Sequence, residues 1–166
     1  MRIEDYLRES AARDGAKTAI VAGDVRLGYA RVLDLATRMA ATLRSNGVGR
    51  GDRVLILLDN GWQATVTVFA TWIAGGVICP VNPSSKGPRL AQISEDCTPA
   101  VIVTEGRLER LVEGIATLAA LPRLVTGEGG SFEAGLTAAP LAPGAVTGDG
   151  PAALIYTSRS AGEPEG

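Results

Sequence analysis

The residues best suited to chemistry lie at the end of the sequence, in Thr157-Ser158-Arg159-Ser160-Ala161-Gly162-Glu163-Pro164-Glu165-Gly166. Three hydroxyls (Thr157, Ser158 and Ser160) sit close to Gly162, Pro164 and Gly166. Such a loop can turn successive backbone N–H groups toward one point, and that concavity suits phosphate oxygens. The hydroxyls would add donors. The same composition also serves an ordinary surface turn. Ahead of the loop stands Ala152-Ala153-Leu154-Ile155, an apolar run bounded by Gly150-Pro151, which predicts a short buried strand delivering it.

Other chemistry is sparse. With no histidine in the chain, His-based triads and His-ligated metals are excluded within it. Cys79 and Cys97 are isolated, with neither metal spacing nor the density of a disulfide scaffold, and a reduced, cytoplasmic setting fits them. Gly47-Val48-Gly49-Arg50-Gly51 has the wrong spacing for a dinucleotide fingerprint and precedes a predicted strand rather than following one. Asp52 reads as a turn residue and Asp59 as a helix cap. Asn82 and Lys86 lie beyond the carboxyl end of a predicted strand, where α/β proteins place ligands. No residue is assigned a catalytic or metal-binding role. Sixteen basic residues against eighteen acidic ones, well mixed and with few aromatics, argue against a nucleic-acid partner. No apolar stretch reaches the length of a membrane span, and no charged-then-apolar leader is expected before the first helix.

The elements that must position the loop follow from periodicity. Ile3, Tyr6, Leu7 and Ala11 mark one face of a short helix ended by Asp14-Gly15. Thr18–Val21 and Val25–Leu27 flank Ala22-Gly23-Asp24 as a hairpin. Gly28 caps a helix striped by Val32, Leu35, Ala36, Met39, Ala40 and Leu43, closed by Asn46-Gly47. Val54–Leu58, Val77–Val81 and Ala100–Thr104 are continuous rather than alternating apolar runs, as in parallel strands buried on both faces. Helices carrying Trp62, Val66, Phe69, Trp72 and Ile73, then Leu90 and Ile93, separate them. One further helix from about Arg107 to Leu118 leads to a short strand at Leu124-Val125. Strand–helix alternation implies an α/β fold, a parallel sheet with flanking helices and the three long strands adjacent. Residues 127–151 turn rich in Gly, Ala and Pro and read as a connector with one helical turn near Ser131–Leu136. The division expected is thus an α/β unit over 1–126, the connector, and the strand with its loop over 152–166.

Ile155-Tyr156-Thr157-Ser158-x-Ser160-x-Gly162-x-Pro164-x-Gly166 resembles the phosphate-loop signature of the AMP-forming adenylating enzymes. Arg159, Ala161 and Glu165 stand where that family has Gly, Thr and Lys. Further matches run through the chain in the family's order. They are Leu27-Gly28-Tyr29-Ala30, Ala40-Ala41-x-Leu43-x-x-x-Gly47-Val48-x-x-Gly51-Asp52-Arg53-Val54, Asp59-Asn60, Ala74-Gly75-Gly76-Val77-x-x-Pro80-Val81-Asn82-Pro83 and Ala100-Val101-Ile102-Val103. The chain is thereby similar to the N-terminal subdomain of the large domain of acyl- and aryl-CoA synthetases. The resemblance implies an enzyme that activates a carboxylic acid with ATP and Mg²⁺ and passes the acyl group to CoA. It assigns ATP contacts to Thr157, Ser158, Ser160, Gly162 and Gly166. The family's adenine, Mg²⁺, ribose and lysine elements are absent from these residues, so the chain alone is expected to bind no cofactor, to be inactive and to self-associate. A non-catalytic assembly subunit and a stand-alone nucleotide-binding module are the alternatives.

Overall fold

A computed structural model describes residues 2–142 and 150–156. Helix α1 (Ile3–Asp14) begins where the Arg2 backbone N–H donates to Asp5 Oδ2 at 2.8 Å. This bond satisfies a donor that the helix itself cannot. Strands β1 (Thr18–Ala22) and β2 (Val25–Gly28) pair antiparallel around Gly23, whose φ of +58° suits the tight turn. Helix α2 (Tyr29–Ser45) buries the whole predicted stripe from Val32 to Leu43 and ends at Asn46, followed by Gly47 with φ +95°.

A four-stranded parallel sheet follows, built from β3 (Arg53–Leu57), β4 (Val77–Pro80), β5 (Val101–Glu105) and β6 (Arg123–Thr126) in the order β4-β3-β5-β6. The three strands expected to be adjacent and parallel are so. Their continuous apolar sequence has a direct cause. Val54, Ile56, Ile78, Val101 and Val103 pack into one core with α2 and α3 (Trp62–Ala74). Leu55, Leu57, Cys79 and Ile102 pack into a second with α4 (Gly87–Cys97) and the helices after β5. Each fully buried aliphatic side chain contributes about 1.5–3 kcal/mol, so both layers hold the sheet.

Two expectations change. The predicted single helix from Arg107 to Leu118 is a 3₁₀ turn (Gly106–Leu108), α5 (Glu109–Glu113) and α6 (Ala116–Ala119). Gly114 ends α5, and Ile115 takes extended backbone that buries its β-branched side chain in the second core. A glycine inside a helix costs about 1 kcal/mol relative to alanine, and the buried isoleucine favours the break. The predicted strand at 152–155 is a single parallel bridge between Ile78 and Ala153. The Ile78 N–H donates to the Ala152 carbonyl at 3.1 Å, and the Leu154 N–H donates to the Ile78 carbonyl at 2.8 Å. The next ladder bond would come from residue 80, which is Pro80 and has no N–H. Pairing stops there, and Ile155 is 67% exposed.

Helix α7 (Ser131–Gly135) seats Phe132 fully buried, edge-on to Trp62 with ring centroids 6.2 Å apart. Thr42 Oγ1 donates to the Gly135 carbonyl at 2.8 Å, Arg38 to the Ala138 carbonyl at 3.0 Å, and the Leu141 N–H to the Thr37 carbonyl at 3.0 Å. These bonds fasten residues 131–141 along α2. Among the described residues no helix is long and apolar enough to cross a membrane.

Candidate functional site

Because all four strands are parallel, their carboxyl ends share one edge, and the loops after β3, β4 and β5 gather there. The chain steps from β3 to β4 on one side and returns to β5 on the other, so strand order reverses between β3 and β5. Ligands of open α/β sheets favour such a reversal. Here it is spanned by charge pairs. Arg107 donates to Asp59 Oδ2 at 2.8 Å and to Glu105 Oε2 at 2.7 Å, while the Asp59 N–H donates to Glu105 Oε1 at 2.5 Å. Glu105 and Asp59 raise the Arg107 pKa by hydrogen bond and charge. Asp59 is therefore a pairing partner of Arg107 and not the cap of α3, whose N-cap is Gly61 without a side-chain bond. Asp52 takes the turn role expected of it, accepting from the Gly49 N–H at 2.8 Å.

The more open part of the edge lies beyond β4. Asn82 Oδ1 accepts the Ser84 N–H at 2.8 Å, and its carbonyl accepts the Ser85 N–H at 2.9 Å, folding a turn that starts α4. Pro88 sits in the first turn of that helix, where no N–H is lost. A hollow of about 380 Å³ opens between this turn and the helix, lined by Asn82, Ser84, Ser85, Arg89, Ile93 and Tyr156. A second of about 370 Å³ lies on the other side of Val81, and Asn82 lines it beside Asp59 and Asn60. Asn82, singled out in the sequence, thus lines both hollows, whereas Lys86 lines neither. Serine hydroxyls and a guanidinium around one hollow make a donor set that fits an anionic group.

Tyr156 ties the end of the 150–156 run to this hollow. Its ring rests on the second core, and its hydroxyl donates to Asp96 Oδ2 on the last turn of α4. Burial, and then the bond to Asp96, push the phenol above its ordinary range. The run is also held by Trp72, whose indole N–H donates to the Ala152 carbonyl at 2.8 Å. Thr157, Ser158, Ser160, Gly162 and Gly166, the predicted phosphate contacts, lie outside the described residues. Sequence reasoning missed Arg89 and Asp96. The signal for Arg89 was its place just after Pro88, at the start of the helix that leaves the sheet's carboxyl edge. Asp96 lies three residues after the core residue Ile93, on the same side of α4. Among the described residues no group of three His, Cys, Asp or Glu is placed to hold a metal ion.

Comparison with known proteins accounts for this arrangement. The AMP-binding enzyme family matches residues 7–166. The chain is 29% identical to bacitracin synthase 1 of Bacillus licheniformis over 164 residues, which is 99% of this chain and 3% of that protein. It is also 29% identical to indoleacetate–CoA ligase of Aromatoleum aromaticum over 175 residues, 100% of this chain and 34% of that protein. A solved benzoate CoA ligase from Burkholderia xenovorans LB400 shares the fold, with a TM-score of 0.85 and 23% identity over 94% of this chain and 32% of that one. The chain thus spans about a third of the ligases and a small fraction of the synthase. Its sheet, flanking helices and sequence matches have one source: the chain belongs to the AMP-binding enzyme family.

Proposed function

We propose that the chain is the N-terminal portion of an ATP-dependent, AMP-forming acid–thiol ligase of the acyl- or aryl-CoA synthetase type, inactive by itself. The observation that carries this reading is the double anchorage of residues 152–156, to β4 through Ile78 and to the last turn of α4 through Asp96. The hydroxyl-rich residues follow Tyr156 directly in sequence. In such a ligase a carboxylate oxygen attacks the α-phosphorus of ATP, pyrophosphate departs, and a thiol then displaces AMP from the acyl group. Bound Mg²⁺ would balance charge on the phosphate oxygens. The parts assigned to this chain are donors toward those oxygens: the hydroxyls of Thr157, Ser158 and Ser160 and the backbone at Gly162 and Gly166. A peptide-synthetase adenylation domain is a second reading, favoured by the likeness to bacitracin synthase 1. Both share the adenylation step and differ in the thiol that receives the acyl group.

Three residues argue that the loop binds weakly. Arg159 replaces a glycine whose backbone freedom lets it approach a ligand, at roughly 1–3 kcal/mol if unusual dihedrals are needed. Glu165 replaces lysine, and one like-charge contact at about 4 Å costs on the order of 1 kcal/mol in water and more where solvent is excluded. Ala161 removes a hydroxyl. Calorimetric titration of the chain with Mg·ATP is expected to give no micromolar binding, and the chain should show no carboxylate-dependent exchange of pyrophosphate into ATP. Exchange above background would overturn its inactivity, and micromolar binding without exchange would favour a nucleotide-binding module. The triple variant Arg159→Gly, Ala161→Thr, Glu165→Lys, placed in a full-length ligase context, should bind Mg·ATP tenfold or more tightly, since about 1.4 kcal/mol is one decade. No gain there would refute the account of the loop.

A further inference from the structure

A hollow of about 300 Å³ lies at the amino edge of the sheet, at the opposite end from the hollows around Asn82. Gly51, two residues ahead of β3, and Gly75, two ahead of β4, both line it. The Gly51 N–H donates to the Gly75 carbonyl at 2.9 Å, and the two sit at positive φ, +78° and +90°. Such backbone favours glycine, so this part of the wall carries no side chain. The remaining walls are largely apolar, with Ile3, Trp72 and Ala152 among them. Arg2, Glu4 and Arg50 also line the hollow. Glu4 is only 4% exposed, and Arg2 Nε lies 3.1 Å from its Oε1. Pairing of this kind is what permits a buried carboxylate. Arg50, by contrast, is exposed and has no hydrogen bond or ion pair among the described residues. Small-molecule sites are commonly apolar hollows of about 300–1,000 Å³ with a few convergent polar groups.

We propose that this hollow binds a small monocarboxylate with an apolar body, held by Arg50. Arg2 is already met by Glu4 and, at 3.9 Å, by Asp5. Arg50 is the charge left unmet, and a planar carboxylate matches the fork of its guanidinium with two parallel hydrogen bonds. Ile3 and Trp72 take the apolar body. Ile3 is 43% exposed, and covering it removes apolar surface from water. Glu4 disfavours a second negative charge on the ligand, because like charges repel most where water is partly excluded. A volume at the lower end of the usual range suits one ring or a short chain and not a nucleotide.

Ala152 couples the hollow to the run that ends at Tyr156. Its carbonyl accepts the Trp72 indole N–H at 2.8 Å and the Ile78 N–H at 3.1 Å. A ligand seated against Trp72 and Ala152 therefore braces the start of that run, whose Leu154 N–H donates to the Ile78 carbonyl at 2.8 Å. Neither the site nor the bracing depends on the adenylation reading.

The test titrates the 166-residue chain with phenylacetate, phenylacetamide and inorganic phosphate, read by backbone amide and indole N–H chemical shifts. Phenylacetate is expected to saturate and to move Arg50, Gly51, Gly75, Ala152 and the Trp72 indole. The Leu154 amide should exchange several-fold more slowly at saturation. Phenylacetamide keeps the ring without the charge, and phosphate keeps charge without the ring; each should bind at least tenfold more weakly. Arg50→Gln should weaken phenylacetate tenfold or more, and Ile3→Asp, which sets a carboxylate on an exposed wall, should do the same. Shifts confined to other surfaces, or no saturation, would overturn the site. Equal binding of phosphate would overturn the apolar recognition. Equal binding of phenylacetamide, or undiminished binding by the Arg50→Gln chain, would overturn the role of Arg50. Unchanged exchange at Leu154 in the saturated chain would overturn the bracing. The mapping is made on the wild-type chain, so a variant that does not fold does not blunt it. No nucleotide is involved, so a failure of the adenylation reading leaves these outcomes standing.

Discussion

Tyr156 is the residue on which the site turns, because it is held by its ring and by its hydroxyl at once. The ring covers part of the second core, and the hydroxyl gives its proton to Asp96. Both features favour the neutral phenol, so the folded chain keeps this proton at pH values where the unfolded chain, titrating near pH ~10, gives it up. The stability contributed is therefore full below pH ~10 and is lost as pH rises through the folded-state value. Ultraviolet titration of the three tyrosines should show one phenol lagging the others. Asp96→Asn should bring that phenol part of the way back, because burial remains while the carboxylate acceptor is gone. Three phenols titrating together near pH ~10 would contradict the anchor.

Among the elements, β4 decides how far the following segment can pair. Its outward N–H at Ile78 is used by Ala152, and Pro80 has none to offer Leu154. Pro80→Ala would supply the missing donor. The added bond is worth about 0.5–1.5 kcal/mol net, and losing proline's restriction of the unfolded chain costs about 0.4–1 kcal/mol. Overall stability should thus change by less than ~1 kcal/mol in a denaturant melt, since the two effects oppose each other. The new amide at position 80 should nonetheless exchange slowly, and the Leu154 amide more slowly than in the parent chain. A freely exchanging amide at 80 would show that something other than the missing donor limits the pairing.

At the scale of the whole molecule, two cores on either side of one sheet satisfy most of the large apolar side chains. Ile3, Tyr6, Val21, Val25 and Ile155 remain exposed, with Tyr6 at 60% and Val21 at 57%. Exposed apolar groups of this size mark contact surfaces when they gather into patches. We propose that the chain self-associates through such surface. Light scattering over rising concentration is expected to give a mass above the 17.1 kDa of one chain, falling toward it on dilution. A monomer at every concentration, with no binding of a dye for apolar surface, would count against this.

The sequence by itself determined the sheet and its helices, because burial on two faces demands continuous apolar strands and the glycines at 47 and 75 mark where helices stop. Both adopt positive φ, which few other residues tolerate. The stripe from Val32 to Leu43 likewise announced the buried face of α2. The donor-rich residues after Tyr156 fit either a phosphate loop or an ordinary turn by type and spacing, their resemblance to the adenylating enzymes carried the phosphate reading, and their placement lies outside the described residues. Only the tertiary structure decided the rest, because those contacts join residues far apart in sequence. It paired Arg107 with Asp59 and took that carboxylate away from α3. It packed Phe132, from a stretch of connector-like composition, against Trp62. It also brought Tyr156 to Asp96. Local propensity is blind to such pairs; they form only when separate elements pack together, and packing is a property of the folded chain.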